Sequence, residues 1–165
     1  MRRAAAILLL LLGAFAPGGA HAGCNDPPTP GVDWRRCYHD GADLVEHDLA
    51  GANLRDSTFG RADLTRANLR EVDAQRAKFI SATLAGARLD GARFTEVDFT
   101  RADLSDASLA KADLSRARFF RATLRRVDLT GATLRGTDFT NADLSGATWT
   151  DGKRICAEGS VGNCN

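Results

Sequence analysis

Neither sign of charge dominates this 165-residue chain: 22 lysines and arginines face 21 aspartates and glutamates, for a formal net charge of +1. The basic stripe expected of a nucleic-acid binder is therefore missing, and so is strong acidity. No apolar run reaches the roughly 20 residues needed to span a bilayer as a helix, since Ala4 to Ala16 is too short. No nucleophile elbow, phosphate loop or HExxH motif occurs, which removes the commonest signatures of hydrolases, nucleotide binders and zinc proteases. Cysteine is absent from the long stretch between Cys37 and Cys156.

What fills that stretch is a period of five. From Leu44 to Trp149 every fifth residue is leucine or phenylalanine except Ala74 and Trp149, and two positions before most of these centres stands alanine, as at Ala62, Ala82, Ala102, Ala122 and Ala142. Five matches neither the spacing of a helical face nor the alternation of a strand. It fits a coil with bends, in which four units close a turn and residues twenty apart stack.

The residues twenty apart test this. Phe59, Phe79, Phe99, Phe119 and Phe139 form one uniform column, and Leu44, Leu64, Leu84, Leu104, Leu124 and Leu144 form another. A third runs from Leu49 to Trp149. In the fourth, the small Ala74 is followed one turn later by Phe94, a swap that conserves core volume. Turns stacked at about 4.8 Å would give a rod roughly 26 Å long in about five and a half coils. His47, Val72, Val97 and Val127 occupy small inward slots. Charges alternate along Asp56, Arg76, Glu96 and Arg116, and along Lys78, Asp98, Arg118 and Asp138, an arrangement that holds register and keeps the surface soluble.

Blocks such as Ala52-Asn53-Leu54-Arg55-Asp56, Ala62-Asp63-Leu64-Thr65-Arg66 and Ala102-Asp103-Leu104-Ser105-Asp106 resemble the pentapeptide repeat family. The resemblance covers about two thirds of the chain. It implies an all-β fold, a right-handed quadrilateral β-helix forming a single domain, and says almost nothing about activity because the repeat encodes packing. The Cys-bearing flank and the Trp149-Thr150-Asp151-Gly152 exit look like exported members of the family.

Four segments are expected. Met1-Arg2-Arg3, the apolar run and Ala20-His21-Ala22 read as a signal peptide over 1–22, cleaved after Ala22. Residues 23–41 form an N-terminal cap, 42–151 the β-helix and 152–165 a C-terminal cap. Lipid attachment at Cys24 is the alternative processing, but His21 stands where a lipidation box wants leucine, and Cys37 would lose its partner. An even cysteine count in an exported chain points to disulfides. The rod separates the two ends far beyond the roughly 7 Å limit between bridged Cα atoms, which pairs Cys24 with Cys37 and Cys156 with Cys164. Neither pair has metal-ligand spacing, and no cofactor is expected. The Pro-rich start offers Trp34 to close one end of the core, and Trp149 with the tail closes the other.

Candidate chemistry is thin. His39 and His47 lie among Asp40, Asp43, Glu46 and Asp48, a possible acid/base or metal cluster better read as an irregular first coil; the stacked Asp43 and Asp63, and Asp103 and Asp143, read as hydrogen bonding at turns. The strongest surface is apolar and basic. Ile80 and Phe120 take outward positions held elsewhere by Gly60, Thr100 and Thr140, and Arg101 stacks with Arg121. Neighbours are expected to neutralise Arg116, Arg118 and Arg126, leaving Arg121 and Arg125 free. Ile80, Arg101, Phe120, Arg121 and Arg125 are thus the candidate surface for an acidic partner, an unknown protein or an acidic envelope component. The expected role is a non-enzymatic periplasmic or secreted scaffold or binding module, with no nucleic acid as partner. Its competitor is a DNA-mimicking topoisomerase binder of the quinolone-resistance type, disfavoured by the leader and by the near-neutral charge.

Overall fold

The computed structural model describes residues 23–165, so the leader expected over 1–22 lies outside the described residues. No extended strand forms among them. Single-residue parallel bridges recur every five residues instead, and each joins a residue to the one twenty further on, from Asp33 with Asn53 to Asp128 with Thr148. They sort into four columns, which begin at Asp33, Tyr38, Asp43 and Asp48.

The block Ala112 to Arg116 shows how each position works. Leu114 points inward, and its N–H donates to the Thr133 carbonyl one turn on at 3.0 Å, while the Ala112 carbonyl accepts from the Thr133 N–H at 2.9 Å. Ser115 and Arg116 make the bend: the Ala117 N–H returns to the Leu114 carbonyl at 2.9 Å, and Arg116 has φ of 57°. This is a type II turn, which needs a positive φ at its third residue. Every fifth residue from Gly31 to Gly146 meets that need, yet sixteen of them are not glycine. An L-residue pays roughly 1–2 kcal/mol in this region. The ladder holds it there, because the same residue's N–H is committed to the next turn, as when Arg116 donates to the Arg135 carbonyl at 2.9 Å.

Aspartate and asparagine at the bridge position tie the bend to the ladder. Asp63, Asp98 and Asp138 each accept the N–H of the residue two further on, Thr65, Thr100 and Thr140, at 2.9 Å. Hydrogen bonds from Thr65 and Thr140 hold the carboxyls of Asp63 and Asp138 below the usual aspartate range.

Inward positions make a continuous core in which most centres and their alanine neighbours are fully buried. The phenylalanine column stacks with ring centroids 4.9 Å apart between Phe59 and Phe79, then 5.2, 5.0 and 5.2 Å up to Phe139. Phe94 meets Phe79 and Phe99 edge-on at 6.1 and 5.2 Å, filling the space beside Ala74 as the volume swap predicts.

The lower end differs from expectation in its boundary. Parallel bridging starts at Asp33, well before residue 42, so Trp34 and His39 are themselves inward centres. His39 extends the phenylalanine column: its ring lies 4.0 Å from Trp34 and 5.3 Å from Phe59, and burial pushes its pKa down. His47 does not fill an enclosed slot. It stands at the lowest level of its column, exposed, with Nδ1 3.0 Å from the Val45 carbonyl oxygen. Cys24 bridges to Cys37 with Cα atoms 5.3 Å apart, and the Trp34 indole N–H donates to the Asp26 carbonyl at 3.2 Å.

At the upper end the tail closes only half of the section. Ile155 and Val161 pair antiparallel with Thr148 and Asp143, covering the fourth and third columns, while the first and second stop at Thr133 and Asp138 with no bridge above them among the described residues. Leu134, Phe139 and Trp149 are left partly exposed, contrary to the expectation that Trp149 and the tail seal this end. Asp151 accepts the N–H groups of Lys153 and Arg154, which reverses the chain over the fourth column. The Cys156–Cys164 bridge then folds it back before it reaches the second. Two disulfides point to an oxidising, exported environment. Among the described residues no helix is long and apolar enough to cross a membrane.

Candidate functional site

The bends form four outward columns of their own; on two of them the outermost residues pair by charge, and a third holds Arg70 at 3.8 Å from Asp90. Arg66 pairs with Glu46 at 2.7 Å, Arg76 with Asp56 at 2.7 Å, Arg116 with Glu96 at 2.6 Å and Arg126 with Asp106 at 2.6 Å, each with a residue twenty earlier. Side-chain hydrogen bonds from Arg76 and Arg126 hold Asp56 and Asp106 below the usual aspartate range.

The bend between the second and third bridge columns is different. Its outermost residues are Gly41, Arg61, Ser81, Arg101, Arg121 and Asn141, with no acid among them. The residues just before them are Asp40, Gly60, Ile80, Thr100, Phe120 and Thr140. Type II geometry turns both sets outward, so cations and apolar groups share one ridge. Arg101 and Arg121 have no carboxylate within 4.0 Å among the described residues. Ile80 is exposed, and Phe120 is half-buried with the guanidinium carbons of Arg121 and Arg118 at 5.1 and 5.5 Å from its ring centroid. Cations at that distance are attracted by the ring face, which steadies both arginines.

Below Ile80 a cleft of about 380 Å³ is lined by Asp40, Thr58, Gly60, Arg61, Lys78, Ile80 and Ser81. Gly60 is small for a reason. Its N–H donates to Asp40 Oδ1 at 2.6 Å, and a Cβ there would stand 3.1 Å from the same oxygen. The hydroxyls of Thr58 and Thr100 on this side are buried without a hydrogen-bond partner.

Of the five expected surface residues, the structure brings together Ile80, Arg101, Phe120 and Arg121, and removes Arg125. Arg125 lies on the next bend, where its guanidinium pairs with Asp143 at 2.9 Å and Glu158 at 2.5 Å. Glu158 comes from the tail, and no repeat register could have placed it. Arg118 also departs from expectation: it lies over Phe120 and forms no ion pair with Asp98 or Asp138 within 4.0 Å. Arg61 was missed, although reading the column down in steps of twenty from Arg121 and Arg101 would have found it. His39 and His47 are not gathered into a cluster, the first facing the aromatic core and the second solvent. No group of three or more ligand-type side chains fit to hold a metal occurs among the described residues.

Comparison with known proteins agrees on the architecture. The sequence pattern described as pentapeptide repeats matches in eight copies over 40–70, 48–84, 77–116 and 112–148. No curated protein matches the chain in sequence. Among solved structures, the chain is 30% identical to HetL, a pentapeptide repeat protein involved in heterocyst differentiation regulation in the cyanobacterium Nostoc sp. strain PCC 7120. The match covers 74% of this chain and 64% of HetL, with a TM-score of 0.35. A pentapeptide repeat protein of the Arabidopsis thaliana thylakoid lumen is 21% identical over 88% of this chain and 91% of its own, with a TM-score of 0.50. QnrB1, a plasmid-mediated fluoroquinolone resistance protein, is 20% identical over 74% and 68%, with a TM-score of 0.47. Proteins of this kind are in general structural or binding scaffolds, and their fold is a right-handed β-helix solenoid. The family pattern and the ladder of bridges twenty residues apart agree, and the chain belongs to the pentapeptide repeat family.

Proposed function

We propose that this chain is an exported, non-enzymatic binding or scaffold module that presents one apolar and basic ridge to an acidic partner. The rod is read as quadrilateral, its four bridge columns being four sides, with about six turns between Gly31 and Thr150. Export rests on the leader-like residues 1–22 together with the two disulfides, and the periplasm is the compartment that fits both. The observation that carries the reading is the contrast between bends: two pair arginine with acid at their outermost residues, a third pairs Arg70 with Asp90, and one holds Arg61, Arg101 and Arg121 beside Ile80 and Phe120 with Asp40, at its lower end, as its single acid. Like charges one turn apart repel, and an acidic partner supplies the missing counter-charge. A topoisomerase-binding DNA mimic would need strong acidity, and the formal net charge is +1.

The test is capture from an envelope fraction by the oxidised chain, run beside Arg121→Glu and a control, Lys111→Glu, on a different bend. Arg121→Glu sets an acid above Arg101 and turns this bend into a paired ladder like the two paired bends. A partner retained by wild type and by Lys111→Glu but lost by Arg121→Glu supports the ridge. Equal capture by all three would sink it.

A further inference from the structure

Backbone polar groups inside a protein are almost always paired, so an unpaired set in strand register is informative. At the upper end of the rod, six such groups point away from the turn below. The N–H groups of Leu134, Gly136, Phe139 and Asn141 and the carbonyls of Ala132 and Thr137 form no hydrogen bond among the described residues. One turn lower every equivalent is used: Leu114, Arg116, Phe119 and Arg121 donate to Thr133, Arg135, Asp138 and Thr140, and Ala112 and Ala117 accept from Thr133 and Asp138.

The adjoining half of the same end shows what fits such an edge. There Leu144 donates to Ser160 at 2.8 Å, Trp149 to Arg154 at 2.8 Å, and Gly162 donates to Ala142 at 2.9 Å. The tail has thus added an antiparallel layer over two columns, and Leu144 beneath it is fully buried. Over the other two columns Leu134, Thr137 and Phe139 floor an open cleft of about 320 Å³, bordered by Trp149 of the covered half and walled by Arg154, Asn163 and Cys164. Arg135, Lys153 and Arg154 are exposed nearby, and none makes an ion pair within 4.0 Å among the described residues.

We propose that this half-open end is a docking site for an extended segment of another polypeptide, which adds a strand over the first and second columns. Six backbone groups in ladder register call for backbone partners. The apolar floor calls for apolar side chains at the positions facing Leu134 and Phe139, and the unpaired cations favour acidic residues on the outward face. This is β-strand addition, with main-chain hydrogen bonds supplying affinity and the cleft supplying specificity. A second copy of the chain is the poorer occupant. Two five-residue edges about 33 Å long offer roughly 160 Å², against about 800 Å² per partner in a stable complex of globular proteins. The site meets the arginine ridge only at Asn141, the topmost residue of that bend, and uses none of its arginines.

The probe is a synthetic peptide, Ac-Ala-Glu-Leu-Ser-Glu-Ala-Glu-Phe-NH2, which copies the spacing of the chain's own repeat, added at millimolar concentration to the oxidised chain. The readout is amide hydrogen exchange, residue by residue. Slowing of about tenfold at Leu134, Gly136, Phe139 and Asn141, absent with an N-methylated peptide of the same sequence and absent in Phe139→Glu, supports strand addition. The N-methylated peptide keeps the apolar side chains but has no backbone donor for the Ala132 and Thr137 carbonyls, and its methyl groups hold its own carbonyls off the edge, so it separates ladder formation from apolar adhesion. It also keeps the test decisive if Phe139→Glu disturbs the fold. Unchanged exchange at these four amides overturns the proposal, as does equal slowing by both peptides. Protection that rises with protein concentration alone, without peptide, makes the edge a contact between copies and also overturns it.

Discussion

The two ends of this rod face the same problem and meet it differently. At the lower end Trp34 and His39 sit inside the ladder as centres, and Trp34 is only 2% exposed. The disulfide from Cys37 draws the Pro-rich segment beneath them. At the upper end the single tryptophan, Trp149, remains partly exposed, and the tail covers two columns of four. The lower end is closed by side chains, the upper by a backbone layer that goes half way round. A plug of aromatic rings covers a narrow section in any direction, whereas a strand covers only what it passes over.

The sharpest way to break this comparison is to remove each tryptophan. Trp34→Ala should cost about 3–5 kcal/mol in urea-induced unfolding, in the range of a buried aromatic truncation, and Trp149→Ala distinctly less. Equal losses would mean the two ends are sealed alike. Next come the cysteines. Cys24→Ser with Cys37→Ser should lower stability by about 3 kcal/mol on loop-closure grounds, and Cys156→Ser with Cys164→Ser by slightly less, because its loop is shorter. The second pair should also speed amide exchange at Leu144 and Trp149 and leave the lower turns unchanged.

A smaller effect separates the ends by pH. Burial lowers the pKa of His39 in the folded chain below its unfolded value near 6.5. The unfolded chain then binds more protons, so the stability tied to the neutral ring is complete above about pH 6.5 and is lost as pH falls from there to the folded pKa. His39→Phe should abolish this dependence in unfolding curves between about pH 5 and 7, and should stabilise by about 1 kcal/mol because Nε2 is buried without a partner. If the slope persists, its source lies elsewhere. The least effect is at a bend: Lys111→Gly should stabilise by about 0.5–1 kcal/mol, by relieving a left-handed backbone at a residue with no ion pair among the described residues.

How much of this was legible in advance follows the period. The period-five columns placed Phe59 to Phe139 in one stack and Phe94 beside Ala74, because identity at steps of twenty is a packing record. The extra turn at Trp34 and His39 was hidden because neither residue is leucine or phenylalanine, although both stand in register. On the ridge, Ile80 and Phe120 announced themselves as apolar residues in outward slots. Arg125 did not behave as read, since its counter-charge, Glu158, reaches it through the tail and not through the repeat. The half-open end was illegible for the same reason: where a non-repeating segment stops is decided by Asp151, Cys156 and Cys164, each acting once.

The step of twenty has a further consequence for how such a rod can change length. Deleting twenty residues at a bend removes one storey and returns every remaining side chain to its own face, so the shortened protein keeps its ridge and both ends. Deleting five rotates everything beyond the cut by a quarter turn, which sets leucines over phenylalanines and carries Phe120 and Arg121 to a face away from Ile80. Growth and loss in this molecule are therefore quantised, and the unit that preserves its surface is four repeats rather than one.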